Sequence, residues 1–307
     1  KQPYNRKLLQ TILAKNIELY DHETIVKENG ARLIGFGRYA GIVGAYNGFR
    51  AIGLKLNLFQ LPKASTLENQ QALIVELQQI NLPNFKILLT GNGKVAYGAK
   101  EMLDAMKIKQ VSVEEYLHQD FGETVFCFVD VLDYNKRKDG KIFDNADFYN
   151  HPEAYQANFL RFAKVTDFFI AGHFYGNGAP VFFTKEDAKN PEFKIRFIAD
   201  ISCDINGPIP TTIRASTIEN PFYGYHPEKE TEVDFLDENA IVVMAVDNLP
   251  CELPKDASEG FGEMFLENVI PAFFDGDKNG ILSRAKITEN GKLTERFSYL
   301  QDYVNNG

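Results

Sequence analysis

The sequence predicts an α/β protein: a doubly wound, mainly parallel sheet with helices on both faces. Three observations predict it. Short apolar runs at 110–113, 124–131, 167–172, 195–199 and 240–246 alternate with helical patterns at 99–106 and 152–164, the alternation that joins parallel strands through covering helices. Residues 85–106, FKILLTGNGKVAYGAKEMLDAM, run from an apolar strand (Ile87 to Leu89) through a glycine turn into a helix with Val95, Ala99, Met102, Leu103 and Met106 on one face. In residues 196–224, RFIADISCDINGPIPTTIRASTIENPFYG, a strand enters a loop with Asp200 and Asp204 and then turns at Asn206-Gly207-Pro208. Ligand-facing loops at strand carboxyl ends have this form.

The elements follow in order. Residues 6–15 put Leu8, Leu9, Ile12 and Leu13 on one helical face, 17–25 read as a strand and its exit, and Asn29-Gly30 makes a turn. Residues 38–56 form a helix with Gly41, Gly44, Ala45 and Gly48 along one side. Glycine weakens a helix interior by about 1 kcal/mol relative to alanine, so the stripe implies close backbone packing, against another helix or a bound cofactor. A further helix at 67–80 leads to the strand at 87. After Pro254 the chain is helical through KDASEGFGEMFLENVIPAFF, then forms a hairpin around Asn290-Gly291 and a last helix, ERFSYLQDYV.

Composition limits the function. The chain has 307 residues, 44% hydrophobic and 24% charged, with a net charge of −9, the profile of an ordinary globular protein. That charge argues against binding a nucleic-acid backbone, which needs a concentrated basic surface. No run of 18 apolar residues and no signal-peptide pattern is present, so the expectation is a cytoplasmic protein with no membrane partner. Cys127, Cys203 and Cys251 are far apart and suggest neither a disulfide framework nor zinc. DGDKNGIL at 275–282 imitates half of a calcium loop, but its twelfth position is Lys286 where a glutamate is needed. It reads as a polar turn, and no metal site is expected.

Gly91, Gly93 and Gly98, with Lys94 and Val95 between them, are candidate cofactor-binding residues of a Rossmann-like fold. The first two let the backbone approach a diphosphate placed at a helix N-terminus. The ribose-binding acid expected roughly 20 residues on falls at Glu114, whose charge favours NAD over NADP. Asp200, and Asp247 with Asn248, lie just past strands, where ligands of doubly wound sheets collect. Residues 171–175 close another strand and bring Phe174 to the same edge; His173 reads as a satisfied, partly buried side chain. Arg38 can grip a substrate carboxylate bidentately.

With FDNADFYNHPEAY at 143–155 and VVMAVDNLPCELPKDASEGFG at 242–262, the 196–224 stretch resembles the saccharopine dehydrogenase family, in its lysine-forming and lysine-ketoglutarate reductase branch, over nearly the whole chain. The resemblance implies an NAD(P)-dependent enzyme that reversibly oxidises the secondary amine of saccharopine to lysine and 2-oxoglutarate. It also implies a second, discontinuous α/β substrate domain built from the two chain ends, residues 1–45 with 255–307, around a dinucleotide-binding domain at 46–254. It places Asp247 beside the nicotinamide ribose and Leu249 against the ring; Asn248 stands where some members have histidine. It makes Glu23, in YDHET, the carboxylate that tunes the catalytic bases, and matches Lys1 to a lysine just after the family's histidine. The main Lys and His bases have no counterpart here, and the resemblance implies a preceding segment that carries them. Alternatives are an alanine dehydrogenase-like or opine-type amino-acid dehydrogenase, and a catalytically silent dinucleotide-binding module. Oligomeric state is not legible.

Overall fold

A computed structural model describes residues 2–142, 144–176 and 178–305. It divides into two compact units, residues 37–257 and residues 1–36 with 258–307. The larger unit contains, in order, α1 (Gly37–Leu56), α2 (Gln70–Leu77), β1 (Lys86–Thr90), α3 (Lys94–Ala105), β2 (Lys109–Gln110), α4 (Val113–His118), β3 (Val125–Val129), β4 (Phe168–Ala171), β5 (Phe197–Asp200), β6 (Phe222–His226), β7 (Thr231–Val233) and β8 (Ile241–Met244).

The strands form one sheet in the order β7-β6-β8-β5-β4-β1-β3-β2. From β8 to β2 all neighbours are parallel, while β6 and β7 add an antiparallel edge. Successive side chains of a strand point to opposite faces, and here the two sets enter two cores. Ile87, Leu89, Phe126, Phe168, Ile170, Ala199 and Met244 meet Ile42, Phe49, Ala99 and Met102 of α1 and α3. Leu88, Cys127, Phe169, Ile198 and Val243 meet Tyr116, Phe159 and Phe162 on the other side. A sheet covered on both faces has no solvated side, which is why its strands read as unbroken apolar runs.

The small-residue stripe of α1 is protein packing. A Cβ at Gly41 would collide with the Val95 carbonyl oxygen of α3, and one at Gly48 with the Phe168 ring beneath. α1 therefore belongs wholly to the larger unit. The expected boundary at 45/46 falls inside it; the division lies at 36/37, because the helix is largely buried from Tyr39 to Gly53.

Other differences have physical reasons. The helix expected at 152–164 is instead a 3-10 turn (Pro152–Ala154), a strand (Tyr155–Ala157) paired with Asn135–Arg137, and a short helix (Leu160–Ala163). Tyr155, Phe159 and Phe162 all reach the core, so their spacing satisfies burial without one helix. β6 and β7 have no counterpart in the sequence reading, whose strand candidates pass from 195–199 to 240–246. Most consequential is the strand order: β2, second in sequence, sits on the edge outside β3 and not beside β1.

In the smaller unit the strand Leu19–Tyr20 pairs antiparallel with Lys286–Glu289, which turns at Asn290 and Gly291, both with positive φ, into Lys292–Leu293. The two chain ends thus share one sheet and a core around Ile25, Ile34, Val269, Ile281 and Leu282. Asp277, in the calcium-loop look-alike, accepts hydrogen bonds from the Leu282 and Ser283 N–H groups at 3.0 and 2.8 Å and so caps the helix Ile281–Ala285. Among the described residues, no helix is long and apolar enough to cross a membrane.

Candidate functional site

Parallel strands end on one edge, so the loops leaving β1, β3, β4, β5 and β8 collect there. β1 ends in the glycine turn. Gly91 has φ +110°, and a Cβ on it would lie 2.5 Å from the Gly172 carbonyl oxygen in the loop after β4. Its N–H donates to the Val129 carbonyl of β3 at 3.1 Å. The turn is therefore clasped between the exits of two neighbouring strands and requires a residue without a side chain.

Gly93 differs. It is the N-cap of α3, extended at φ −115°, with no side-chain cap, and among the described residues a Cβ there would meet nothing within 4 Å. The first N–H groups of a helix have no partner within it and carry its positive dipole end, so this open lip offers donors to an anion. Lys94 is exposed in the same turn and Val95 is half-buried. Gly98 has another role: its Cβ would strike the Arg38 carbonyl of α1. It is a helix-packing glycine, and its place in the cofactor motif is corrected accordingly.

A polar cluster unnoticed in the sequence lies beside the turn. Asp130 follows β3 directly. Its Oδ2 accepts from Asn92 Nδ2 at 3.1 Å and Asn145 Nδ2 at 2.5 Å, and its Oδ1 from the Val131 N–H at 2.6 Å. Asn92 also accepts from the Tyr97 hydroxyl at 3.3 Å. The available signal was an aspartate at the end of an apolar run, the same signal that drew attention to Asp200.

Four expected site residues are placed otherwise. Glu114 lies in the first turn of α4, its side chain 86% exposed and 3.6 Å from His118. Ser112 and Glu115 form a capping box that ends β2 after two residues, on the sheet edge away from β1. Asp200 is 1% exposed and accepts from Ser202 Oγ and Thr212 Oγ1 at 2.5 Å and from the Cys203 N–H at 3.1 Å. Burial raises its carboxyl above the ordinary range against these hydrogen bonds, and its work is to tie residues 200–212 into one loop. Leu249 is 1% exposed in the core beneath α1 and so cannot face a nicotinamide ring. Arg38 gives its Nε and Nη2 to the two Glu101 oxygens, both at 2.7 Å, and Nη2 also to Gln70. The fork that would hold a carboxylate already holds one.

The remaining expectations fall on accessible ground. Asp247 and Asn248 are exposed just past β8, and Asn248 starts the turn Leu249–Glu252 without a side-chain cap. Phe174 is 75% exposed after β4. His173 is buried: its Nδ1 is 3.0 Å from Thr90 Oγ1, the last residue of β1, its ring packs 4.4 Å from Phe182, and Nε2 has no hydrogen-bond partner among the described residues. Burial pushes its pKa down to about 3, so it is a neutral prop under the glycine turn. In the smaller unit Glu23 is exposed and 3.4 Å from Arg32. Lys1 lies outside the described residues.

The residues fit a dinucleotide. Gly91 turns the chain, Gly93 leaves the space a Cβ would fill, and the α3 N-terminus supplies donors for a diphosphate. The fold around them is a mainly parallel α/β sheet with a glycine turn at a strand exit. No family model matches the chain. An alpha-aminoadipic semialdehyde synthase of Arabidopsis thaliana is 28% identical over 340 residues, covering 97% of this chain and 32% of its own length. A saccharopine dehydrogenase [NAD(+), L-lysine-forming] of Schizosaccharomyces pombe is 26% identical over 302 residues, covering 92% and 69%. Among solved structures an L-alanine dehydrogenase superposes with a TM-score of 0.52 at 15% identity, covering 98% of this chain and 73% of that one, a likeness of fold. The chain's homologues are thus alpha-aminoadipic semialdehyde synthases and saccharopine dehydrogenases, as the sequence resemblance implied, although it spans about a third of the length of the synthases.

Proposed function

We propose that this chain belongs to a saccharopine dehydrogenase-type oxidoreductase that uses NAD, oxidising the secondary amine of saccharopine reversibly to lysine and 2-oxoglutarate. The observation that carries the cofactor assignment is the open lip at Gly93 between β1 and α3. The names of the homologues support the substrate. A nicotinamide held there would supply the hydride acceptor that this oxidation needs, and water would supply the oxygen of the 2-oxo acid.

This chain's residues would do the holding. Gly91, Gly93, Lys94 and Val95 shape the diphosphate site; Phe174, Asp247 and Asn248, exposed where β4 and β8 end, are the groups offered to the nicotinamide end. Asp247 positions and does not act as base. Glu23 tunes the acid-base groups, which must sit near the operating pH. The test is calorimetric titration of the chain with NADH, and assays of the full-length protein with saccharopine and with alanine. NADH binding, with turnover of saccharopine only, is expected. No NADH binding removes the cofactor assignment, and turnover of alanine alone moves the substrate to the alanine dehydrogenase type.

A further inference from the structure

We infer that Asp130, not the acid about 20 residues after the glycine turn, sets cofactor choice by holding the adenosine ribose hydroxyls and repelling a 2'-phosphate. This rests on the reading that the Gly91–Gly93 turn holds a dinucleotide. In the usual doubly wound order the second strand lies beside the first, and an acid at its end takes the ribose hydroxyls. What the ribose meets is set by space and not by sequence distance: it lies over the end of the strand next to β1. In this sheet β1 lies between β4 and β3; β3 is the neighbour on the side where the usual order puts the second strand, in register from Lys86 against Val125 to Thr90 against Val129, and β2 is one strand further out on that side.

The next residue after that register is Asp130, and it already touches the turn through Asn92. Its partners Asn92, Asn145 and the Val131 N–H are neutral donors, so they orient the carboxylate without cancelling its charge. Ribose hydroxyls are donors of the same kind and can replace the side-chain amides at Oδ2. A phosphate monoester there brings negative charge against Asp130 and against Asp133, whose Oδ2 accepts from the Asp130 N–H at 2.8 Å.

The experiment is titration of NADH and NADPH, at one ionic strength, against the wild-type chain and the variants Asp130→Ser, Asp130→Asn and Glu114→Ala, with thermal melts to establish folding. Serine and asparagine both serve as helix N-caps, so the turn at Val131 survives. The wild type is expected to prefer NADH. Asp130→Ser should move the NADH-to-NADPH affinity ratio toward NADPH by at least about tenfold, Asp130→Asn should move it the same way by less, and Glu114→Ala should leave it unchanged. An unchanged ratio in folded Asp130 variants, or a wild-type preference for NADPH, overturns the assignment while the dinucleotide site stands. Failure of the wild type to bind either cofactor overturns both.

Discussion

The loops after β1 and β5 look alike in sequence, each an apolar strand running into small and polar residues, yet they do opposite things with their polar groups. The 200–212 loop closes on itself: Asp200 is buried and spent on Ser202, Thr212 and the Cys203 N–H. The 91–93 turn leaves its lip open, with none of the described residues within 4 Å of a Cβ at Gly93 and no side chain of its own capping α3. Buried polar groups must find partners, and a loop that supplies its own has none left for a ligand. Satisfied carboxylates build scaffold; an open helix N-terminus at a strand exit leaves room for a ligand.

The strongest test of the closed loop is Asp200→Ala. Removing the acceptor strands two hydroxyls and one N–H in a buried place, and we expect a stability loss of about 3 kcal/mol by denaturant unfolding, while the folded fraction still binds NADH. A loss under about 1 kcal/mol would mean the loop is not held by this carboxylate. The matching test of the open lip is Gly93→Thr. Threonine accepts the extended backbone at φ −115° and is itself an N-cap, so the fold should persist. Its side chain would fill the cradle and occupy first-turn donors. NADH affinity should fall at least a hundredfold, about 2.7 kcal/mol; undiminished affinity in a folded variant would remove the diphosphate from this turn.

Behind the open lip lies a dry support, and pH should expose it. His173 has a folded pKa of about 3 against an unfolded 6.5. The unfolded chain therefore binds the proton more readily, so the stability due to keeping this ring neutral is present above pH 6.5 and is lost as pH falls toward 3. Between pH 7 and pH 5 this one group should cost roughly 2 kcal/mol. His173→Asn, which can keep the bond to Thr90 and does not titrate in that range, should flatten that segment of the stability profile even if it lowers stability at neutral pH. An unchanged slope would show that the ring is solvated in the folded protein.

The glycine turn was legible because everything that defines it is local: strand, turn and helix lie within residues 85–106. The sheet was legible as a class for a related reason, since burial on both faces writes itself into each strand as an apolar run. What escaped depends on partners far along the chain. Arg38 looks like a free anion grip until Glu101, 63 residues later, is brought against it. Leu249 could face a ring or a core, and only the packing of α1 decides. Asp130 and Asp200 are the same residue in the same kind of place. Thr212, twelve residues on, closes one of them, while Asn92 ties the other to the open turn.

The smallest expected effect is in some ways the sharpest. Sequence spacing alone assigns the ribose to Glu114, whereas strand order puts that residue on the sheet edge, 86% exposed and facing His118 within its own helix. Its neighbour Glu115, not Glu114, completes the capping box with Ser112, so Glu114→Ala removes neither a cap nor a buried contact. Exposed substitutions away from such features change stability little. The melting temperature should therefore stay within error of the wild type, and titration with NADH and NADPH should return the wild-type ratio. A loss of NADH affinity with NADPH binding preserved would show that the ribose reaches past β3 to the edge strand, and would place the discriminating charge at the sequence distance instead of at the neighbouring strand.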